Sequence, residues 1–154
     1  WAMDSELRRQ PVDLSEIARS IARKLRRTRG KRKIAFSIAD GLMVEGDVAL
    51  LRVMMDNLLD NAWKFSAKHP RARLEFGATL QDGQKVHYVR DDGAGFDMVH
   101  ADKLFGLFQR LHSATEFEGT GLGLATVRHI VRRHGGSVWA EGQVERGATM
   151  YFTL

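Results

Sequence analysis

Asp56-Asn57-Leu58-Leu59-Asp60-Asn61-Ala62-Trp63-Lys64-Phe65 sets two carboxamides and an amine along one flank of a predicted helix. At about 100° per residue, Asn57, Asn61 and Lys64 fall within roughly 60° of one another, beside a stripe made by Leu51, Met54, Leu58, Ala62 and Phe65. The stripe packs, and the flank is left to bind. Asparagine is a poor choice inside a helix because its side chain competes for backbone hydrogen bonds, so two of them one turn apart ask for a ligand. The donors and acceptors suit a metal–phosphate site. Asp56 and Asp60 are read as lying about 100° or more round the helix from this flank, and neither is expected to act as a base.

Working outward, Asp47 caps this helix, which is expected from about Val48 to Ala67 and ends at His69-Pro70. Upstream, Asp13 caps a helix through about Arg29 whose Leu14, Ile17, Ala18, Ile21, Ala22 and Leu25 recur at helical spacing, and Gly30 closes it. Lys33–Ile38 and Leu42–Glu45 read as a hairpin about Asp40-Gly41. Arg73–Leu80 and Lys85–Arg90 alternate about Gln81-Asp82-Gly83-Gln84, a second hairpin. A long irregular stretch follows, with one short helix expected near Lys103–Arg110. A third helix, Gly121–His134, ends at Gly135-Gly136, and Val138–Glu141 with Thr149–Leu154 forms the last hairpin. Helices layered on one mixed sheet result.

The 154 residues, 44% hydrophobic and 28% charged, suit a single soluble domain with a substantial core. Without cysteine there is no disulfide framework, thiolate zinc site or cysteine nucleophile. No apolar run of membrane-spanning length and no secretory leader is read, so no membrane contact by this piece and a cytoplasmic location are expected. Anchoring of a longer parent is left open. Trp1-Ala-Met resembles a tag scar, and residues 1–12 are read as tag remnant and linker. Between Arg19 and Lys33 nine of fifteen residues are Lys or Arg, which raises nucleic acid as a partner. The run has no interleaved aromatics and no reading-head motif, so a solvated, partner-facing helix end is preferred and no nucleic acid is expected.

Gly119-Thr120-Gly121-Leu122-Gly123 opens the third helix, where unpaired N–H groups and the positive dipole end meet a backbone almost without side chains. Phosphate is the natural guest, although a flexible loop before a capped helix fits the same residues. Leu124 stands where a dinucleotide fingerprint needs its last glycine, and no Gly-Lys-Ser/Thr follows. Asp91-x-Gly93-x-Gly95 offers a carboxylate to an exocyclic amine and a bare backbone to a flat ring; alone, it reads equally as a turn.

Taken in order, Asn57–Phe65, Asp91–Gly95, Leu104-Phe105-Gly106-Leu107-Phe108-Gln109-Arg110-Leu111-His112 and Gly119–Leu124 resemble the N, G1, F and G2 boxes of sensor histidine kinases. The likeness is close, in the manner of bacteriophytochrome-type and PAS-linked kinases, and it runs from about Val12 to Gly147-Ala148-Thr149-Met150-Tyr151-Phe152. The resemblance implies a Bergerat-type ATP-binding domain, shared with gyrase, mismatch-repair ATPases and a heat-shock chaperone. Its fold is an α/β two-layer sandwich, a mixed, mainly antiparallel sheet covered by three helices.

The resemblance also implies roles. Asn61 would coordinate Mg²⁺, and Asn57 and Lys64 would contact the phosphates of ATP, the three forming the catalytic set. Asp91 would recognise the adenine amine in a pocket shaped by Gly93 and Gly95, with Thr149 assisting through water. Gly119, Gly121 and Gly123, with Thr120 and Leu122 between them, would enclose the phosphates. Phe105 and Phe108 would pack a lid; for these and for Phe65 core packing is an equal reading. Arg110 and His112 are weaker candidates, being equally surface side chains.

In the hydrolysing relatives a glutamate one turn before the magnesium asparagine activates water. Asn57 holds that position here, and an amide cannot take the proton. Phosphoryl transfer to another group is therefore preferred, and the resemblance implies that this group is a histidine. His69, His87, His100, His112, His129 and His134 all lack the acidic follower of a phosphoacceptor motif and are read as surface, strand or lid residues. The partners implied are a histidine-bearing dimerisation domain, absent from this sequence, and indirectly a response regulator. A Bergerat-fold ATPase and a catalytically silent nucleotide-binding module are the alternatives.

Overall fold

The computed structural model describes residues 6–28, 34–66, 72–92, 122–143 and 147–154. Strand β1 (Arg9–Asp13) runs into α1 (Leu14–Thr28), where Asp13 Oδ1 accepts the Glu16 N–H at 3.0 Å as the expected cap. Strands β2 (Ala35–Ile38) and β3 (Met43–Asp47) follow. Asp47 Oδ1 accepts the N–H groups of Ala49 and Leu50 at 3.1 and 3.2 Å and starts α2 (Val48–Phe65), which Ser66 caps.

Strands β4 (Arg73–Gln81) and β5 (Gln84–Asp91) are joined at Asp82 and Gly83, whose φ angles of 51° and 79° fit the two-residue turn that matches strand twist. Helix α3 (Leu122–Arg133) precedes β6 (Val138–Gln143) and β7 (Gly147–Phe152). It ends in a Schellman arrangement: Gly136 N–H donates to Val131 O and Gly135 N–H to Arg132 O, both at 3.0 Å, with Gly135 at φ 83°. The expected helix near Lys103–Arg110 lies outside the described residues.

Two readings are corrected. The expected hairpin after α1 does not form: β2 pairs parallel with β4, while β3 pairs antiparallel with β1 in a separate two-stranded ribbon. Ile34, just before β2, and Leu42, just before β3, are both buried in the common core, so the core rather than the turn between them places each segment. Residues 9–13 are a strand rather than linker, with Val12 3% exposed. Only that residue of β1 is buried, so the segment carries no alternation to betray it.

The main sheet has the order β2-β4-β5-β7-β6, antiparallel except for β2 with β4. Its pleat sends Leu74, Phe76, Val89, Ala148, Met150 and Phe152 to one face, where they join Leu51, Met54, Leu58, Val127 and Ile130 of the helices in one apolar cluster. Each such side chain contributes about 1.5–3 kcal/mol when fully buried, so this cluster fixes where α2 and α3 lie. The other face is polar and aromatic: Tyr88 donates its hydroxyl to Glu75 at 2.5 Å, Arg90 lies over the Tyr88 ring at 4.9 Å, and Trp139 stacks on Tyr151 at 5.5 Å. The two-layer, mainly antiparallel architecture is the one expected. Among the described residues no helix is long and apolar enough to cross a membrane.

Candidate functional site

Helix α2 buries Leu50, Leu51, Met54, Met55, Leu58, Leu59, Ala62 and Trp63 and leaves Asn57, Asn61 and Lys64 partly exposed on an adjoining flank. Lys64 Nζ lies 2.9 Å from Asp60 Oδ2, one turn back on the same helix. Asp60 therefore belongs to the flank, which corrects the reading that set it well away: residues four apart are only about 40° apart. Such a pair is worth about 0.3–0.5 kcal/mol, enough to hold the amine over the flank and too little to lock it there. Asp56 does face elsewhere, its Oδ1 2.7 Å from Lys24 Nζ on α1. Phe65 is partly buried against the core, in keeping with its packing reading.

Helix α3 brings the end of the glycine motif to this flank. A Cβ added to Gly123 would stand 3.3 Å from Asn57 Oδ1, closer than side chains ordinarily approach. Backbone at a helix start, where N–H groups have no intrahelical partner, thus lies beside the first carboxamide. Leu122 is the first residue of α3. Gly119, Thr120, Gly121, Gly93, Gly95, Phe105, Phe108, Arg110 and His112 lie outside the described residues.

Asp91 is the last residue of β5, 5% exposed, on the sheet face that carries the helices. Its register partners are Leu74 and Ala148. Gly147, at φ 105°, is placed so that a Cβ would collide with the Asp91 carbonyl oxygen; glycine lets β7 begin against the end of β5. Thr149 is one residue out of phase with Asp91. Its hydroxyl accepts from Arg90 Nε at 3.2 Å on the opposite face, so the structure does not bring Thr149 to the pocket, and Ala148 takes the place beside the carboxylate.

At the start of α2 the electrostatics centre on Asp47. Burial would raise the Asp47 carboxyl, but the hydrogen bonds it accepts from the N–H groups of Arg8, Leu50 and Ala49 outweigh it and hold it below the usual carboxylate range. His134 is 5% exposed and follows the last residue of α3, a correction to its surface, strand or lid reading. Nothing in the sequence around it but the Gly135-Gly136 stop signalled that cap position. Among the described residues there is no cluster of three or more His, Cys, Asp or Glu that would cage a metal. The donor set on α2 is amide oxygen, which suits an ion that keeps its waters and takes phosphate oxygens, as Mg²⁺ does.

Residues 46–154 match the family described as histidine kinase-, DNA gyrase B-, and HSP90-like ATPase. The chain belongs to that family. Among curated relatives of this ATPase family, cyanobacterial phytochrome A of Nostoc sp. is 38% identical over 112 residues, covering 73% of this chain and 14% of that protein. The methanogenesis regulatory histidine kinase FilI of Methanothrix harundinacea is 38% identical over 124 residues, covering 80% of this chain and 14% of that protein. The chain thus spans about a seventh of the length of these relatives. Among solved structures, the mycobacterial sensor histidine kinase MprB superposes with a TM-score of 0.74 at 26% identity, covering 94% of this chain and 95% of that one. Full-length ShkA in complex with AMPPNP gives 0.75 at 28% identity, covering 96% of this chain and 31% of that one.

Proposed function

We propose that this domain binds ATP with Mg²⁺ on the α2 flank and that its parent protein transfers the γ-phosphoryl group to a histidine on a separate dimerisation domain, from which a response regulator is served. The observation that carries the reading is the approach of Gly123 to Asn57, which joins the start of α3 to the carboxamide flank. The AMPPNP complex of the ShkA neighbour supports the same ligand class.

Asn61 presents an amide oxygen to the metal, Asn57 and Lys64 reach the phosphates, and Asp91 accepts from the adenine amine at the buried end of β5. Gly119, Gly121 and Gly123, with Thr120 and Leu122, are assigned to the phosphate tail, Gly93 and Gly95 to the base, and Phe105 and Phe108 to packing a lid. Held by Asn61, Mg²⁺ would supply positive charge to the phosphate oxygens of ATP. The chain positions groups and excludes water; an amide at residue 57 takes no proton, so water is a poor acceptor. A cytoplasmic location goes with this reading.

Calorimetric titration with Mg²⁺ and AMPPNP tests it: saturable binding is expected, weakened at least about tenfold by Asn61→Asp and by Asp91→Asn with the circular dichroism of both unchanged. Equal affinity in wild type and both variants would sink the assignment. Steady ATP turnover by the isolated domain would favour the ATPase alternative instead.

A further inference from the structure

Helices α2 and α3 share the apolar cluster, and two polar contacts flank it, the second of them well away from the carboxamide flank. At one end, Gly123 meets Asn57. At the other, His134 Nε2 lies 3.1 Å from the Asp47 N–H, and its Nδ1 lies 2.8 Å from the Ile130 carbonyl oxygen. An amide N–H can only donate, so Nε2 accepts and Nδ1 carries the proton that goes to Ile130. One neutral tautomer satisfies both partners.

The two contacts are spaced alike on both helices. Gly123 and His134 are eleven residues apart and Asp47 and Asn57 ten, about 16 Å in each case, so α3 runs antiparallel to the first half of α2 with a contact at each of its own ends. Gly46 makes room for the ring: a Cβ there would stand 2.9 Å from His134 Nε2 and 2.6 Å from a Leu51 methyl. Asp47 is at the same time the cap of α2, so the imidazole holds the residue from which the carboxamide helix starts.

We infer that His134 is a positioning residue that sets the register of α3 against α2 and so the separation between the phosphate-enclosing helix start and the Asn57–Asn61 amides. It touches no substrate and acts through Asp47. The inference rests on the proposed nucleotide site, and it extends that site to a residue at the far end of the helix pair.

The distinguishing substitutions are His134→Leu, which removes both hydrogen bonds, and His134→Gln, whose amide restores one donor and one acceptor. Titrated with Mg²⁺ and AMPPNP, His134→Leu is expected to bind about tenfold more weakly and His134→Gln within about threefold of wild type. A purely structural role would lower the melting temperature and leave affinity alone. Should His134→Leu fail to fold, the wild-type domain gives an independent readout. Coupling is reciprocal, so nucleotide should slow hydrogen exchange at the Asp47 amide, and imidazole nitrogen spectra should show the Nδ1–H tautomer. Unchanged affinity in a folded His134→Leu, or unchanged Asp47 exchange on saturation, overturns the inference while leaving the nucleotide site standing. No binding by wild type overturns both.

Discussion

Gly123 stands so close to Asn57 that a single added methyl would sit 3.3 Å from the amide oxygen. A methyl there is tight enough that the carboxamide must give by a few tenths of an ångström. Gly123→Ala is therefore expected to weaken Mg²⁺–AMPPNP binding about tenfold, read by calorimetry. Stability should hold or rise by up to about 1 kcal/mol, because alanine is the better helix former and Gly123 lies within α3. Affinity and melting temperature falling together would refute a local effect on Asn57.

Asp91 points a carboxylate into the helix-side face at the end of β5, where it is 5% exposed. A carboxylate accepts from the amine of adenine, whereas an amide also offers a donor to the oxygen of guanine. Asp91→Asn should narrow the preference for ATP over GTP by at least about tenfold in competition binding. A preference that survives the substitution argues for base recognition elsewhere.

His87 is buried on β5, stacked between Phe76 at 6.2 Å and Phe152 at 5.2 Å, and neither ring nitrogen has a hydrogen-bond partner among the described residues. Burial, aided by Lys85, pushes its pKa down to about 4. The unfolded chain takes the proton near pH 6.5, so stability is full above that value and falls as pH drops toward 4, by about 3 kcal/mol in all. His87→Leu should remove most of this slope in urea unfolding from pH 4 to 7 and add about 1–3 kcal/mol at neutral pH. A slope that persists in the variant would assign it to other groups.

Asp47 joins the ribbon to α2, its Oδ2 accepting the Arg8 N–H at 3.1 Å while Oδ1 caps the helix. Asp47→Ala should cost about 0.5–2 kcal/mol. Because the folded carboxyl titrates below its ordinary value, the contribution of its charge is present above pH 4 and disappears as pH falls through the folded value. Unfolding of wild type and Asp47→Asn compared from pH 2.5 to 6 should converge at the acid end.

Much of this was legible because the periodic segments agree with their caps. Asp13, Asp47 and Gly135 marked helix ends that the packing did not move, and Asp82-Gly83 has the backbone its turn type demands. What failed was pairing across distance. Lys33–Ile38 and Leu42–Glu45 look like the two arms of a hairpin in sequence, yet β2 joins β4 and β3 joins β1, since pairing far along the chain outweighs a nearby turn. Thr149 failed for a smaller reason: strand residues alternate faces, and a shift of one position moved its hydroxyl to the far side of the sheet. His134 gave no local signal, because its partner Asp47 is 87 residues away.

The two described indoles differ in setting. Trp63, 3% exposed and stacked on Phe36 at 6.1 Å, sits on α2 between Asn61 and Lys64, while Trp139 lies partly in solvent against Tyr151 on the edge strand. The protein thus carries a blue-emitting reporter on the carboxamide helix and a redder one at its rim. Loosening near the carboxamides would register as a colour change in intrinsic fluorescence, with no dye attached.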